Sequence, residues 1–122
     1  MTQHRFPEPD ADYCLEVLQG LIRIKSYSTT DGEKEATEHM TQLMKKEGFD
    51  IAETVPFNNG GRQNSLGTWR GSGKGQGLLF NGHVDTNPVS EGWTVDPWGG
   101  LIKDDMIYGI GVSNMSEPSP KE

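Results

Sequence analysis

Cysteine is almost absent from this 122-residue chain, and the single one, Cys14, has no second cysteine with which to close an internal disulfide. Long apolar runs are also missing. Leu78-Leu79-Phe80 is among the longest, far below the ~20 apolar residues that a helix needs to span a bilayer. The opening residues MTQHRFPEPDADY lack the apolar core of a secretory signal, so with one thiol the expected compartment is the reducing cytoplasm. Basic side chains are scarce, 11 against 18 acidic ones, and the resulting charge of -7 repels phosphate backbones and anionic lipid surfaces. Nucleic acid and membrane are therefore excluded as expected partners. Hydrophobic residues make up only 32% of the chain beside 16 glycines, which favours a loop-rich α/β protein with a modest core over a helical bundle.

What is present organises into short elements. Cys14, Val17, Leu18, Leu21 and Ile22 recur at three and four residues, an apolar stripe predicting a helix over 12–24 that Asp10 or Asp12 could cap. A second helix is predicted over 32–47. Ala36, Met40, Leu43 and Met44 share one face, Thr30 or Asp31 can cap the start, Lys45 and Lys46 occupy the last turn, and Gly48 ends it. From Phe49 the period becomes two, and Phe49, Ile51 and Val55 mark one buried face of a strand over 49–55. Asn58-Asn59-Gly60-Gly61 reads as a turn, 63–70 as a weaker strand, and Leu78 to Gly82 as a short buried strand. Leu101–Lys103 and Met106–Tyr108 flank Asp104-Asp105 as a small hairpin. The order helix, helix, strand, strand, strand indicates α/β class with a mixed sheet flanked by helices. Residues 1–115 form one unit, and 116–122, with two prolines and no apolar anchor, are expected to be disordered.

The glycine-rich turn at 71–75 lacks the spacing and terminal Lys-Ser/Thr of a phosphate-binding loop. Chemistry is better sought in Gly82-His83-Val84-Asp85-Thr86, where a strand meets a loop. Alternation along a strand puts His83 and Asp85 on the same side. A neutral imidazole can bind zinc through one nitrogen while a carboxylate accepts a hydrogen bond from the other. Spacing alone fits a hydrogen-bonded structural histidine as well. Trp93 and Trp98 serve more simply to pack a long loop on the sheet than to line a substrate entrance. Asp104 and Asp105 read as solvated turn residues, Gly109 and Gly111 as positions of close backbone approach, His4 and His39 as surface histidines, and Cys14 as core.

The stretch Leu78-Leu79-Phe80-Asn81-Gly82-His83-Val84-Asp85-Thr86, then Trp93, Asp96-Pro97-Trp98, Tyr108-Gly109-Ile110-Gly111 and Asn114-Met115, resembles the zinc-dependent family of acetylornithine deacetylase, succinyl-diaminopimelate desuccinylase, aminoacylase and glutamate carboxypeptidase. The resemblance runs from Leu78 to Met115, and the earlier residues are compatible with it. It implies the N-terminal part of a zinc-exopeptidase catalytic domain. His83 would be a zinc ligand and Asp85 the carboxylate that supports the site and tunes its chemistry, with cobalt able to substitute for zinc. Asn114 stands where the family usually has an aspartate bridging two zinc ions. An amide offers one neutral carbonyl oxygen, which can coordinate a single ion but cannot replace an anionic bridge, and this argues against two-metal occupancy.

After Met115 the resemblance stops. The family's paired glutamates, a further acidic ligand, a distant histidine and an inserted dimerisation domain have no counterpart in this sequence. A truncated, split or frameshifted product would look like this. The resemblance implies a hydrolase that cleaves amide bonds of N-acyl amino acids or short peptides, with this chain alone inactive. The alternative is a non-catalytic remnant or interaction module with at most a weak single-metal site, prone to self-association.

Overall fold

In a computed structural model, residues 7–113 are described. Two helices, α1 (Ala11–Ile22) and α2 (Asp31–Lys46), are followed by strands β1 (Ile51–Phe57), β2 (Arg62–Thr68), β3 (Leu101–Lys103) and β4 (Met106–Tyr108). The caps follow local chemistry. Asp10 accepts a hydrogen bond from the Tyr13 amide at 2.9 Å and so satisfies one of the free N–H groups that open α1. Thr30 stands at the N-cap of α2, but its hydroxyl donates to the Tyr27 carbonyl at 2.6 Å and ties the helix start to the preceding loop. Gly48, at φ 81, lets the chain leave α2 in the left-handed region.

The strands form two separate antiparallel hairpins, β1 with β2 and β3 with β4. Among the described residues there is no mixed sheet. The one parallel pairing among the described residues is an isolated bridge between Tyr27 and Thr86. The expected strand at Leu78 to Gly82 is not formed either. Those residues are extended without ladder partners, and Leu78, Leu79 and Phe80 are 79%, 84% and 85% exposed. An apolar run becomes a strand only when another backbone takes up its N–H and C=O groups, and here no neighbouring strand does so.

Turn chemistry explains both hairpins. Asp104 and Asp105 adopt φ 53 and 57, the positive dihedrals that a two-residue turn of type I′ demands at both positions. Asn58 and Asn59 likewise sit at φ 50 and 55 before Gly60. Aspartate and asparagine tolerate this region better than other side chains, so both turns form without glycine at every strained site.

Helix α2 lies on one face of the β1–β2 hairpin, and that face is polar and small. Ala36, Thr37 and Thr41 are the buried residues of α2. The apolar-pattern reading left out the threonines. Their burial is tolerated because Thr41 donates to the Thr37 carbonyl at 2.9 Å and meets the Ser65 hydroxyl at 2.7 Å, while Thr37 bonds back to the preceding turn and accepts from Gln63. Arg62 closes the edge with a two-pronged bond to Glu33, Nε to Oε2 at 2.9 Å and Nη2 to Oε1 at 2.5 Å.

The sheet faces are inverted relative to expectation. Ala52 and Thr54 turn inward, whereas Ile51, Val55, Phe57 and Leu66 lie exposed on the outer face. Close packing under α2 suits small side chains: Gly67 lies directly beneath Met44 and Phe49, where a β-carbon would come 2.1 Å from the Met44 sulfur. Cys14, expected in the core, is exposed. The apolar core proper is Ile22, Ile24 and Ala36.

Two glycines hold loops against that core. A β-carbon at Gly109 would meet the Ile22 side chain at 2.7 Å, and one at Gly32 would lie 1.9 Å from the Lys25 carbonyl oxygen. Gly32 thus lets the start of α2 approach the segment that follows α1. Alanine would gain about 1 kcal/mol of helix propensity at this position. The steric clash is expected to outweigh that gain, as overpacking typically costs about 1–3 kcal/mol. Gly32→Ala should therefore lower the urea midpoint followed by helical circular dichroism, and an unchanged or raised midpoint would refute the close approach.

Candidate metal-supporting site

The site is built where two distant loops run side by side. After α1, the segment through Ser26 and Ser28 lies parallel to the segment through Val84 and Thr86. The Thr86 amide donates to the Ser26 carbonyl at 2.8 Å, and the Ser28 amide donates to the Thr86 carbonyl at 3.0 Å. Buried Ser26 adds a side-chain bond to the Val84 carbonyl at 2.8 Å. The backbone around Asp85 is thus fixed from one side by three hydrogen bonds. Gly111, at φ 77, backs Thr86 from the other side, where a β-carbon would come 3.0 Å from the Thr86 methyl carbon.

Within this frame His83 and Asp85 meet as alternation predicts. Nδ1 of His83 lies 3.1 Å from Asp85 Oδ1 and also 3.1 Å from the Asp85 carbonyl oxygen. The second carboxylate oxygen, Oδ2, accepts a short hydrogen bond from the Ser28 hydroxyl. The Ser28 hydroxyl is the main influence holding the Asp85 carboxyl below the usual aspartate range. Partial burial opposes it, and the neighbouring His83 imidazole reinforces it.

A cleft of about 400 Å³ opens beside the pair, walled by Ile22, Ile24 and Ser26 on one side and by Val84, Ile110 and Gly111 on the other. The loop that returns to it is anchored by several contacts. Gln19 donates to the Gly100 carbonyl at 2.7 Å, the Ile110 amide donates to the Pro97 carbonyl at 2.8 Å, and Trp98 stacks edge-on against Tyr27 with centroids 5.1 Å apart. Trp98 is thus a packing residue. Trp93 stands 38% exposed, and Asp104 and Asp105 are exposed turn residues. His39 lies on α2 beside Gly20, well away from His83 in the chain. Asn114, His4 and the segment 116–122 lie outside the described residues.

The donors present fit one corner of a metal site. A carboxylate beside one imidazole nitrogen is the usual arrangement for a metal-binding histidine. Among the described residues no three His, Cys, Asp or Glu side chains gather closely enough to hold an ion. Residues 7–113 therefore do not enclose a tetrahedral site, which takes three or four ligands.

Comparison with known proteins agrees with the motif. Acetylornithine deacetylase of Vibrio atlanticus is 38% identical over 107 residues, covering 83% of this chain and 27% of that protein. Succinyl-diaminopimelate desuccinylase of Wolinella succinogenes is 34% identical over 101 residues, again 83% of this chain and 26% of the relative. Acetylornithine deacetylase of Photorhabdus laumondii is 38% identical over 107 residues. This chain belongs to the acetylornithine deacetylase and succinyl-diaminopimelate desuccinylase family. It spans about a quarter of the length of the curated relatives it matches. No family model and no solved structure matches it. No helix among the described residues is long and apolar enough to cross a membrane.

Ser26 and Ser28 are the site residues that sequence reasoning missed. The available signal was their spacing of two from Ile24, which puts all three on one side of an extended segment, in the unassigned stretch between the helices. The Asp85 environment has a pH consequence with a definite sign. Because its carboxyl titrates lower in the folded chain than the ~3.9 of an unfolded aspartate, the unfolded state takes up the proton first. The stabilisation is complete above the unfolded value and is lost as pH falls through the folded one. Asp85→Asn should therefore show a smaller drop in urea midpoint than the parent between about pH 6 and about pH 3. An equal drop in both would remove Asp85 from the acid response.

Proposed function

We propose that this chain carries the metal-supporting His83–Asp85 element of a zinc-dependent hydrolase acting on the amide bond of N-acyl amino acids or short peptides. The observation that carries this reading is the 3.1 Å approach of His83 Nδ1 to an Asp85 carboxylate held in a hydrogen-bonded frame, inside a stretch shared with deacetylases and desuccinylases. Bound zinc, or cobalt in its place, would supply Lewis acidity and an acidified water. Asp85 would hold the imidazole in one orientation through the contact at Nδ1. The cleft beside the pair, about 400 Å³ in volume, is of a size to admit a small acylated amino acid.

By itself the chain is proposed to bind zinc weakly and not to turn over substrate. Catalytic zinc takes three protein ligands, and this chain brings His83, Asp85 and the neutral oxygen of Asn114, with one ion rather than a bridged pair. General-base assistance, absent without a suitably placed glutamate, is worth about 10²–10⁴-fold in rate. The purified chain, assayed with excess zinc or cobalt on N-acetyl and N-succinyl amino acids, should show only background hydrolysis. Calorimetry should detect weak zinc binding that His83→Ala abolishes. Equal zinc binding by both proteins would overturn the ligand assignment, and metal-dependent turnover lost in His83→Ala would overturn the claim of inactivity.

Self-association belongs to the same proposal. Leu78, Leu79 and Phe80 are extended and exposed, and the outer sheet face presents Ile51, Val55, Phe57 and Leu66. Exposed apolar surface beside unpaired backbone favours pairing of like chains. Sedimentation at micromolar concentration should show dimers or larger species that Leu79→Lys with Phe80→Lys reduces. An ideal monomer would count against it.

A further inference from the structure

Two asparagines in this chain are followed by glycine, Asn59 before Gly60 and Asn81 before Gly82. An asparagine so placed can react with its own backbone. The next residue's amide nitrogen attacks the side-chain carbonyl carbon, and glycine, having no β-carbon, leaves that path open. The reaction requires water, an amide nitrogen not engaged elsewhere, and a backbone able to turn until nitrogen and carbon meet. Both asparagines are exposed, so water does not distinguish them. The backbone does. The Gly60 amide donates to the Phe57 carbonyl at 3.1 Å, and the Gly61 amide donates to the Asn58 carbonyl at 3.1 Å. Asn59 itself is set at φ 55, in a turn closed by the pairing of Phe57 with Arg62. Bringing the Gly60 nitrogen onto the Asn59 side chain would break its bond and open the turn. Asn81 lies instead in an extended stretch without ladder partners, and residues 71–83 are exposed throughout. The Gly82 amide has no hydrogen-bond partner among the described residues. Bonds to Ser26 and Ser28 fix the chain only further on, at Val84 and Thr86.

We propose that Asn81 is a self-modification site, where the free Gly82 amide attacks the Asn81 side chain and converts it to aspartate or isoaspartate. A bond forms between the Gly82 nitrogen and Asn81 Cγ. The bond from Cγ to Nδ2 breaks, and the side-chain nitrogen leaves as ammonia with the proton that the Gly82 nitrogen gives up. The product is a cyclic succinimide. Water then adds across one of its two carbon–nitrogen bonds. Opening at Cγ restores the ordinary backbone with aspartate in place of asparagine, and opening at the main-chain carbonyl leaves isoaspartate, with the peptide link running through Cγ. Nothing is oxidised or reduced, and water is the only other reactant. Either product puts a carboxylate where a neutral amide stood, two residues before His83. Isoaspartate also lengthens the backbone by one carbon at that point.

The test is to hold the full chain at neutral pH, folded in buffer and unfolded in urea, and to follow by mass spectrometry the peptides that contain Asn59 and Asn81. Replacement of ammonia by water raises the mass, and fragmentation separates aspartate from isoaspartate. The quantity compared is protection, the rate in urea divided by the rate in the folded chain, which cancels the intrinsic difference between the two peptides. Asn81 should show little protection. Asn59 should be slowed by about tenfold or more, because its turn has to open before it can react. Equal protection at the two asparagines, or greater protection at Asn81, would overturn the assignment. Asn81→Gln, whose longer side chain must close a larger and slower-forming ring, should abolish conversion in its peptide and leave Asn59 unchanged. Conversion that persists in that peptide would place the reaction elsewhere and equally overturn it. The outcome is read by mass alone and does not depend on His83 binding metal, so this proposal and the functional reading fail separately.

Discussion

The parallel contact between Tyr27 and Thr86 is the constraint on which the site depends. Two backbone hydrogen bonds and the Ser26 side chain lock the segment carrying Asp85 to the segment leaving α1. Each such bond adds only about 1 kcal/mol net, but an unmade bond in this partly buried position would leave a polar group without water or partner. The arrangement is therefore specified more strongly than its small size suggests. From it follow the seat of Asp85, the aim of His83 and the wall of the adjoining cleft.

Glycine has a particular part in making that contact. Gly32 brings the start of α2 against Lys25, Gly109 brings the returning loop against Ile22, and Gly111 fits beside Thr86. In each case a backbone approaches more closely than a β-carbon would allow. A chain with so little aliphatic material cannot fill a wide interior. It draws backbones together instead, around a core of Ile22, Ile24 and Ala36.

Much of this was legible in the sequence. Helical periodicity located α1 and α2 to within a residue or two, Asp10 was among the caps considered, and Asp104-Asp105 marked the second hairpin, whereas Asn58 to Gly61 was read only as a turn between two strands. The His-x-Asp spacing put His83 and Asp85 on one side, and the two side chains lie 3.1 Å apart. Other features were hidden because hydrophobicity is a proxy for burial rather than its cause. Thr37 and Thr41 are buried because their hydroxyls find carbonyls, and Ile51 and Val55 are exposed because α2 covers the opposite face of the hairpin. Leu78 to Phe80 has the composition of a buried strand but no strand beside it. Ser28 carries only its spacing from Ile24 and Ser26, and its role arises when the chain brings position 85 alongside it.

That separation also bears on when the site forms. The hairpins and helices close over short distances, whereas Ser28 and Asp85 are 57 residues apart. Closing a flexible loop of that length carries an entropic penalty of roughly 3–4 kcal/mol beyond a constant term. Local elements can form ahead of it, and the long closure then has to be offset by the few bonds at the crossing. The pair is thus among the last features to assemble and the first to come apart, and its amides should exchange with solvent through openings smaller than global unfolding. Chemistry placed at a late, long-range junction exists only in chains that have finished folding.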